Sequence, residues 1–241
     1  MRPGPLIIDS AMQNNLPSGP GSHQPLVGPL PVPYYDDGLI TIFCGDSRRI
    51  VPTLPKFDLL LTDPPYGINI AKTGKLGKAR YEPAEWDAKQ PEPWELQMLI
   101  SSCKESIIWG GNYYEQLRRA TCWLVWDKKN DGLSFADAEL AWTNLRRAVR
   151  MFRWMWHGLK EGGPIKRVHP TQKPVQLMEW CIGKANKPQS LLDPYMGSGS
   201  SLIACQQLGI RAVGIDMHEP YCAAAVERLR DNRANAERSH T

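Results

Sequence analysis

The chain has 241 residues, of which 42% are hydrophobic and 22% charged, a composition typical of a globular protein and not of a disordered one. No apolar run approaches the roughly 18–20 residues of a membrane span, and the first ten residues lack the apolar core of a secretory signal. The 29 basic and 25 acidic residues give a net charge of +4, which permits a polyanionic partner without requiring one. The six cysteines are scattered without a C-x-x-C pair, which argues against a metal site or a disulfide framework and for a reducing cytoplasm.

The chain divides into a leader and one domain. Residues 1–34 hold 8 of the 21 prolines and few regularly spaced apolar residues, so we expect a disordered Pro/Gly-rich leader. Residues 35–241 are predicted to form a single domain. No internal repeat is visible.

The first half of the domain alternates short apolar and polar segments. LITIFCGD (39–46) predicts a strand, and a short helix follows near 47–54. FDLLLTD (57–63) is a continuous apolar run, which is typical of a strand covered on both faces. The polar residues 67–90 predict a long loop, and loops of that length are usually functional or mobile.

The middle of the domain predicts a second set of elements. We expect a helix over 93–104, a strand in SIIWGGN (106–112), a short helix in YYEQLRRA (113–120) and a strand in TCWLVWDK (121–128). RAVRMFRWMW (147–156) alternates basic and apolar residues and predicts an amphipathic strand. A further helix is predicted from Pro174 to Lys184.

The last section has the clearest pattern. A strand at SLLDP (190–194) leads through the glycine turn MGSGS (196–200) into a helix that ends at Gly209. A second strand, RAVGIDM (211–217), is followed by a helix that runs from Pro220 to about Arg230. This βαβα unit predicts an open α/β sheet with helices on both faces.

The glycine turn indicates a nucleotide cofactor. Glycines between a strand and a helix let a ligand approach the backbone, and Asp216, 17 residues after Gly199, is placed to bind ribose hydroxyls. Both NAD and S-adenosylmethionine fit this pattern. Leu202 stands where the NAD fingerprint needs a third small residue, and Asp193 before the turn suits an ammonium group better than a pyrophosphate.

Asp63-Pro64-Pro65-Tyr66 ends the apolar strand, at the edge where open α/β sheets bind ligands. The two prolines make this segment stiff and rich in hydrogen-bond acceptors. The Asp63 carboxylate and the Pro64 carbonyl are suited to accept both hydrogens of one exocyclic amino group and to orient its lone pair toward an electrophile. Tyr66 is expected to stack on a base. The alternative is a structural Pro-Pro turn with a capping aspartate.

At these residues the chain resembles the S-adenosylmethionine-dependent DNA amino-methyltransferases. The D-P-P-Y motif precedes the glycine turn, which is the order of the permuted β-group of that family. Further matches are Gly45-Asp46 before the D-P-P-Y strand and HPTQKP (169–174) before the glycine turn. IIWGGNYY (107–114) and CWLVWDKKNDGLSFADAELAWT (122–143) look like phage- and prophage-borne adenine methyltransferases. The resemblance covers about residues 39–230.

The resemblance implies a Rossmann-like sheet of seven mainly parallel strands with one antiparallel strand, in permuted order. It implies that the target base is held by Asp63, Pro64, Pro65 and Tyr66. It places along S-adenosylmethionine the residues Asp46, His169, Thr171, Gln172, Lys173, Asp193, Pro194, Gly197, Ser198, Gly199, Ser200 and Asp216. The chain departs from the family at Tyr195, where phenylalanine is usual, and the ring is kept.

About 40 residues separate the WDK strand from HPTQKP, too few for a separate target-recognition domain, so we expect a short or relaxed recognition sequence. A DNA-contacting surface is predicted here, with tryptophans interleaved, and in the loop over 67–90. Its basic residues are Arg146, Arg147, Arg150, Arg153, Lys166 and Arg167, with Lys72, Lys75, Lys78 and Arg80 in the loop. The alternative is a solvated hairpin face with its tryptophans turned inward.

The resemblance favours N6 of adenine as the methylated atom, because the N4-cytosine enzymes more often begin the motif with serine. The N4-cytosine reaction remains the alternative. A catalytically dead DNA-binding protein and an NAD oxidoreductase are the rivals from other classes. The expected location is the cytoplasm of a bacterial or phage-infected cell. Restriction protection, phage anti-defence and regulation are all open roles, as is the choice between monomer and homodimer.

Overall fold

The structure, a computed structural model, describes residues 31–67, 89–129, 136–155 and 172–238, and the backbone of two short strands between the first two ranges. The strands are β1 Tyr35–Asp36, β2 Ile40–Cys44, β3 Phe57–Thr62, β4 Lys75–Leu76, β5 Ala79–Arg80, β6 Cys103–Trp109, β7 Trp123–Asp127, β8 Ala138–Thr143, β9 Arg150–Arg153, β10 Ser190–Asp193 and β11 Arg211–Asp216. The helices are α1 Ser47–Ile50, α2 Pro93–Ser101, α3 Val175–Ile182, α4 Ser200–Leu208 and α5 Glu219–Arg238, with 3₁₀ turns at Val51–Thr53 and Gly111–Tyr113.

The main sheet has the strand order β1-β2-β11-β10-β3-β6-β8-β7-β9. All neighbours are parallel except at β1, which is antiparallel to β2, and at β8, which is antiparallel to both β6 and β7. The seven strands from β2 to β7 therefore form the predicted sheet with one antiparallel strand. The short strands β1 and β9 extend it at its two edges, and β4 pairs with β5 apart from it.

The central strands are buried on both faces, as their continuous apolar sequences predict. In β3, Leu59 and Leu61 pack on one side with α3 and α4, while Leu60 packs on the other side with α2. All three leucines are fully buried. Helices on both faces are thus required to keep water from this strand.

The permuted order leaves the sheet continuous, because β11 pairs in parallel with β2. The last and first long strands of the domain are neighbours, with Asp216 level with Cys44. All the parallel strands therefore end at one edge, which we call the carboxyl edge.

One predicted helix is wrong. YYEQLRRA was expected to be helical, yet only the 3₁₀ turn Gly111–Tyr113 is present and Tyr114 is extended, with φ −107° and ψ 101°. The Tyr114 ring is buried, and its hydroxyl donates to the carbonyl oxygens of Pro64 and Pro65. Contacts with a distant segment therefore override the local preference for a helix.

The predicted leader lies mostly outside the described residues, although its last residue, Tyr34, donates a backbone hydrogen bond to the Ile42 carbonyl. At the other end, α5 continues to Arg238 and exceeds the predicted end near Arg230. None of the helices in the described ranges has the length and apolarity needed to cross a membrane.

We expect Gly110→Ala to destabilise the protein more than Gly209→Ala. The two glycines have nearly the same left-handed backbone, with φ +68° and +67°, so both variants carry a strain of roughly 1–2 kcal/mol. A Cβ at Gly110 would also collide with the Tyr66 ring, whereas a Cβ at Gly209 meets no atom within 4 Å. Urea unfolding should show an additional loss of about 1–3 kcal/mol for Gly110→Ala. Equal losses would contradict this packing.

Candidate active site

A cavity of about 320 Å³ opens at the carboxyl edge, beside the ends of β3, β10 and β11. This edge is where open α/β sheets bind ligands. The cavity brings together many of the residues singled out in the sequence. They are Asp63, Pro65, Gln172, Lys173, Asp193, Pro194, Gly197, Ser198, Ser200 and Asp216.

Other predicted residues are placed elsewhere. Asp46 caps α1 and pairs with Arg48, and its neighbour Ser47 lines the cavity instead. Gly199 is not part of the lining, although its left-handed backbone begins α4. His169 and Thr171 lie outside the described residues.

The acid–proline corner, residues 63–66, is fixed by two tyrosines. The Tyr66 hydroxyl donates to Oδ1 of Asp63 at 2.5 Å. The Tyr114 hydroxyl donates to the Pro64 carbonyl at 2.8 Å and contacts the Pro65 carbonyl at 3.2 Å. A carbonyl oxygen has two lone pairs, so Pro64 keeps acceptor capacity for a ligand.

The aromatic face expected of Tyr66 is already covered on one side. Its ring stacks on Tyr113, with centroids 4.9 Å apart and planes 16° from parallel, and lies close to Gly110. Tyr113 is 40% exposed and presents the outer ring of the pair. Tyr113 and Tyr114 were not among the predicted site residues, and the available signal was two adjacent aromatic residues after a glycine turn.

The Asp63 carboxylate lies in a cluster of alternating charges. Its Oδ2 accepts from the Lys173 ammonium, which also lies 3.3 Å from Oε2 of Glu139. The Lys128 ammonium pairs with Oε1 of Glu139. Burial raises the pKa of Asp63, with Lys173 opposing this. Burial disfavours the Lys173 charge, but the two carboxylates outweigh it and raise its pKa.

Asp193 is a buried carboxylate without a cation. Its Oδ1 accepts from the Thr62 hydroxyl at 2.9 Å and from the Tyr195 amide at 3.2 Å, and its Oδ2 accepts from the Ser201 hydroxyl. Burial raises the pKa of Asp193 to about 6, and none of the described groups that act on it is positively charged. A buried carboxylate of this kind is suited to a cationic ligand group, which would compensate its charge.

The glycine turn and the strand after it complete the cavity. The Gly197 amide donates to Oδ2 of Asp216 at 3.1 Å, and the His218 amide donates to Oδ1 at 2.8 Å. Arg228 holds the turn from α5 through a 2.9 Å hydrogen bond to the Ser198 hydroxyl. Burial raises the pKa of Asp216.

The cavity chemistry fits S-adenosylmethionine. Asp193 matches the amino-acid ammonium group, and Asp216 matches the ribose hydroxyls. Met217, 64% exposed, lines the cavity with His218 and Tyr221, whose rings meet edge to face. This apolar and aromatic group suits the flat face of an adenine base.

The predicted basic surface is divided between two edges. Arg146 and Arg147 follow β8, which ends at the edge opposite the cavity because this strand is antiparallel to its neighbours. Arg150 is also near that opposite edge, since it pairs with Leu124 at the start of β7. Arg153 is at the carboxyl edge and pairs with Asp127 at 3.3 Å. The side chains of Lys72, Lys75, Lys78, Arg80, Lys166 and Arg167 lie outside the described residues.

The chain is similar in sequence to known methyltransferases. Residues 126–227 match the model of the N6/N4 methyltransferase family, described as DNA methylase. The putative methylase YubD of Escherichia coli K12 is 28% identical over 211 residues, which cover 77% of this chain and 88% of that protein.

Two solved structures have the same fold. The complex of M1.HpyAVI with SAM has a TM-score of 0.56 at 20% identity and covers 79% of this chain and 98% of that one. The cytosine-N4-specific PvuII DNA methyltransferase has a TM-score of 0.54 at 13% identity and covers 83% of this chain and 93% of that one. The chain is thus similar to DNA methyltransferases of the N6/N4 family.

We expect Asp193→Asn to stabilise the free protein at pH 8. The raised pKa means that the folded protein binds this proton more tightly than the unfolded chain, so ionisation of Asp193 lowers the free energy of unfolding as pH rises from about 4 toward 6. Asparagine avoids the buried charge and keeps the two hydrogen bonds that Oδ1 accepts, while its amide nitrogen donates to the Ser201 hydroxyl in place of the bond that Oδ2 accepts. Urea unfolding should show a gain of about 3 kcal/mol at pH 8 and little gain near pH 4.

The matched control is Asp137→Asn, because Asp137 is exposed and lies outside the cavity. The difference in free energy of unfolding between this variant and the natural protein should be the same at the two pH values. A loss of stability at pH 8 in Asp193→Asn would show that the carboxylate charge is compensated in the folded protein.

Proposed function

We propose that this protein transfers the methyl group of S-adenosylmethionine to N6 of an adenine in DNA, with the base turned out of the duplex. The proposal rests on one observation: Asp63 and Pro65 of the acid–proline corner line the same cavity as the cation-free carboxylate of Asp193. The hydrogen-bond acceptor for the target amino group therefore lies in the same cavity as the carboxylate that suits the ammonium group of the cofactor.

Bound S-adenosylmethionine supplies an electrophilic methyl group on a positively charged sulfur. Asp193 holds the ammonium group, and Asp216 binds the ribose hydroxyls. The Asp63 carboxylate and the Pro64 carbonyl accept the two amino hydrogens, so the nitrogen lone pair is oriented away from the corner and toward the methyl group. No covalent enzyme intermediate and no metal ion is required by this arrangement.

Asp63 also suits removal of the proton that the nitrogen loses after methylation. Burial raises its pKa above that of an exposed aspartate, which makes the carboxylate a stronger base. Its Oδ2 is the atom to which we assign the proton, because Oδ1 accepts from the Tyr66 hydroxyl, and Oδ2 becomes available once the Lys173 ammonium moves away from it. The paired rings of Tyr66 and Tyr113 border the same corner and offer a surface for the turned-out base.

Adenine is supported by the aspartate at the first position of the motif. The rival is the N4-cytosine reaction, since both bases carry an amino group beside a ring nitrogen and the structurally similar PvuII enzyme is cytosine-N4-specific. The geometry of the acceptors serves either base. The choice therefore depends on the product.

We further propose that the recognition sequence is short or relaxed and that basic residues of the predicted DNA surface hold phosphates. Arg153 lies at the carboxyl edge with the cavity, whereas Arg146 and Arg147 are positioned for a DNA segment at the far edge. Sequencing of methylated genomic DNA tests this. A strict site of six or more base pairs would refute it.

We expect Asp63→Ala to lower the methyl-transfer rate by at least about a hundredfold, because one of the two oriented acceptors is lost. Transfer of a radiolabelled methyl group to unmethylated DNA measures the rate, and calorimetry should show S-adenosylmethionine affinity largely kept. Asp137→Ala, at an exposed position, is the control. A normal rate in Asp63→Ala would contradict the proposed role of Asp63 as an acceptor. If the natural protein itself transfers no methyl group, the alternative of a DNA-binding protein is favoured.

Nucleoside mass analysis of DNA incubated with the protein and S-adenosylmethionine should reveal N6-methyladenine. The predicted product follows from the aspartate in the acceptor corner. Detection of N4-methylcytosine without N6-methyladenine would show that the target base is cytosine and not adenine. The proposed role of the hydrogen-bond acceptors would still hold. DNA that already carries both modifications serves as the control, because it offers no free target.

A further inference from the structure

The acceptor that the proposed reaction needs is occupied by the protein itself. Oδ1 of Asp63 accepts from the Tyr66 hydroxyl, and Oδ2 accepts from the Lys173 ammonium. A cation on the carboxylate weakens it as an acceptor and as a base, because the negative charge is neutralised. A target amino group therefore requires that Lys173 give up Oδ2.

A second carboxylate is available to Lys173. Oε2 of Glu139 lies 3.3 Å from the Lys173 ammonium but makes no hydrogen bond, although it is buried. The other oxygen, Oε1, is held by Lys128. Glu139 is thus fixed through one oxygen, while the other oxygen is ion-paired with Lys173 without a hydrogen bond.

The surroundings of Lys173 favour a short movement between these two acceptors. Its ammonium lies 5.5 Å from the centre of the Trp109 ring and 5.9 Å from that of Tyr66, and aromatic faces stabilise a cation without a directional bond. The side chain is only 7% exposed, so water is a poor substitute for either carboxylate. The ammonium stays paired with a carboxylate at both positions, and the net charge of the cluster does not change.

We propose that Glu139 is a positioning residue that takes the Lys173 ammonium from Asp63 when the target amino group binds. The inference rests on the proposed methyl transfer, and it gives Lys173 a role at the acceptor corner, distinct from the cofactor contact that the resemblance implies. Three separate segments meet here, since Glu139 is in β8, Lys173 precedes α3, and Asp63 follows β3.

The decisive variant is Glu139→Gln, which keeps the side-chain shape but removes the charge that attracts Lys173. We expect kcat/KM for DNA to fall about tenfold, within the range of coupled buried charges. The affinity for S-adenosylmethionine, measured by calorimetry, should stay within about twofold of that of the natural protein. Glu139 is not among the residues that line the cavity. Glu115→Gln, at an exposed position, is the matched control and should have the rate of the natural protein.

The rescue experiment separates repositioning from simple damage. In a Lys173→Met background, which should keep measurable transfer, Glu139→Gln should cause no further loss because no ammonium has to be moved. Thermal melting and cofactor affinity establish that each variant is folded. An equal loss in both backgrounds would overturn the proposal.

The remaining outcomes also decide the question. Loss of transfer together with weakened S-adenosylmethionine binding in Lys173→Met would assign the lysine to the cofactor and overturn the role of Glu139. If Lys173→Met abolishes methyl transfer but keeps cofactor binding, Lys173 is essential to the reaction itself. This result would also overturn the proposed role of Glu139. Absence of transfer by the natural protein would instead be a failure of the proposed function, which distinguishes the two claims.

Discussion

The hydrogen bond between the Thr62 hydroxyl and Oδ1 of Asp193, 2.9 Å long, joins the two chemical halves of the site. It links the ends of β3 and β10, which pair in parallel with Leu60 level with Leu192. Asp63 is the next residue after Thr62. The bond therefore helps to fix the distance between the acceptor corner and the carboxylate that suits an ammonium group.

The electrostatics of the cavity follow from burial. Asp63, Asp193 and Asp216 line it, and burial raises the pKa of each. Lys173 is the cation that lines the same described cavity, and it is paired with Asp63. A cavity with excess negative potential favours a positively charged ligand and lowers the stability of the free protein, which is a common property of functional sites.

Local patterns were sufficient to predict much of the fold. Continuous apolar strands and the glycine turn predicted an open α/β sheet, and the family resemblance implied its seven strands with one antiparallel strand. Asp63 and Pro65 of the acid–proline corner line one cavity with Asp193. The features that were not predicted depend on contacts between segments that are distant in the sequence. Tyr114 lies in a segment that was predicted to be helical, yet its hydroxyl donates to the carbonyl oxygen of Pro64, 50 residues away. Glu139 in β8 is ion-paired with Lys173, which precedes α3. No local spacing encodes such contacts, so the sequence alone could not reveal them.

The most direct test is a crystal structure of the protein bound to S-adenosylmethionine. The account predicts that the ammonium group lies within hydrogen-bond distance of the Asp193 carboxylate and that the ribose hydroxyls contact Asp216. The methyl group should then point toward the acceptor corner at Asp63. A cofactor bound outside this cavity, or a methyl group directed away from Asp63, would contradict the account.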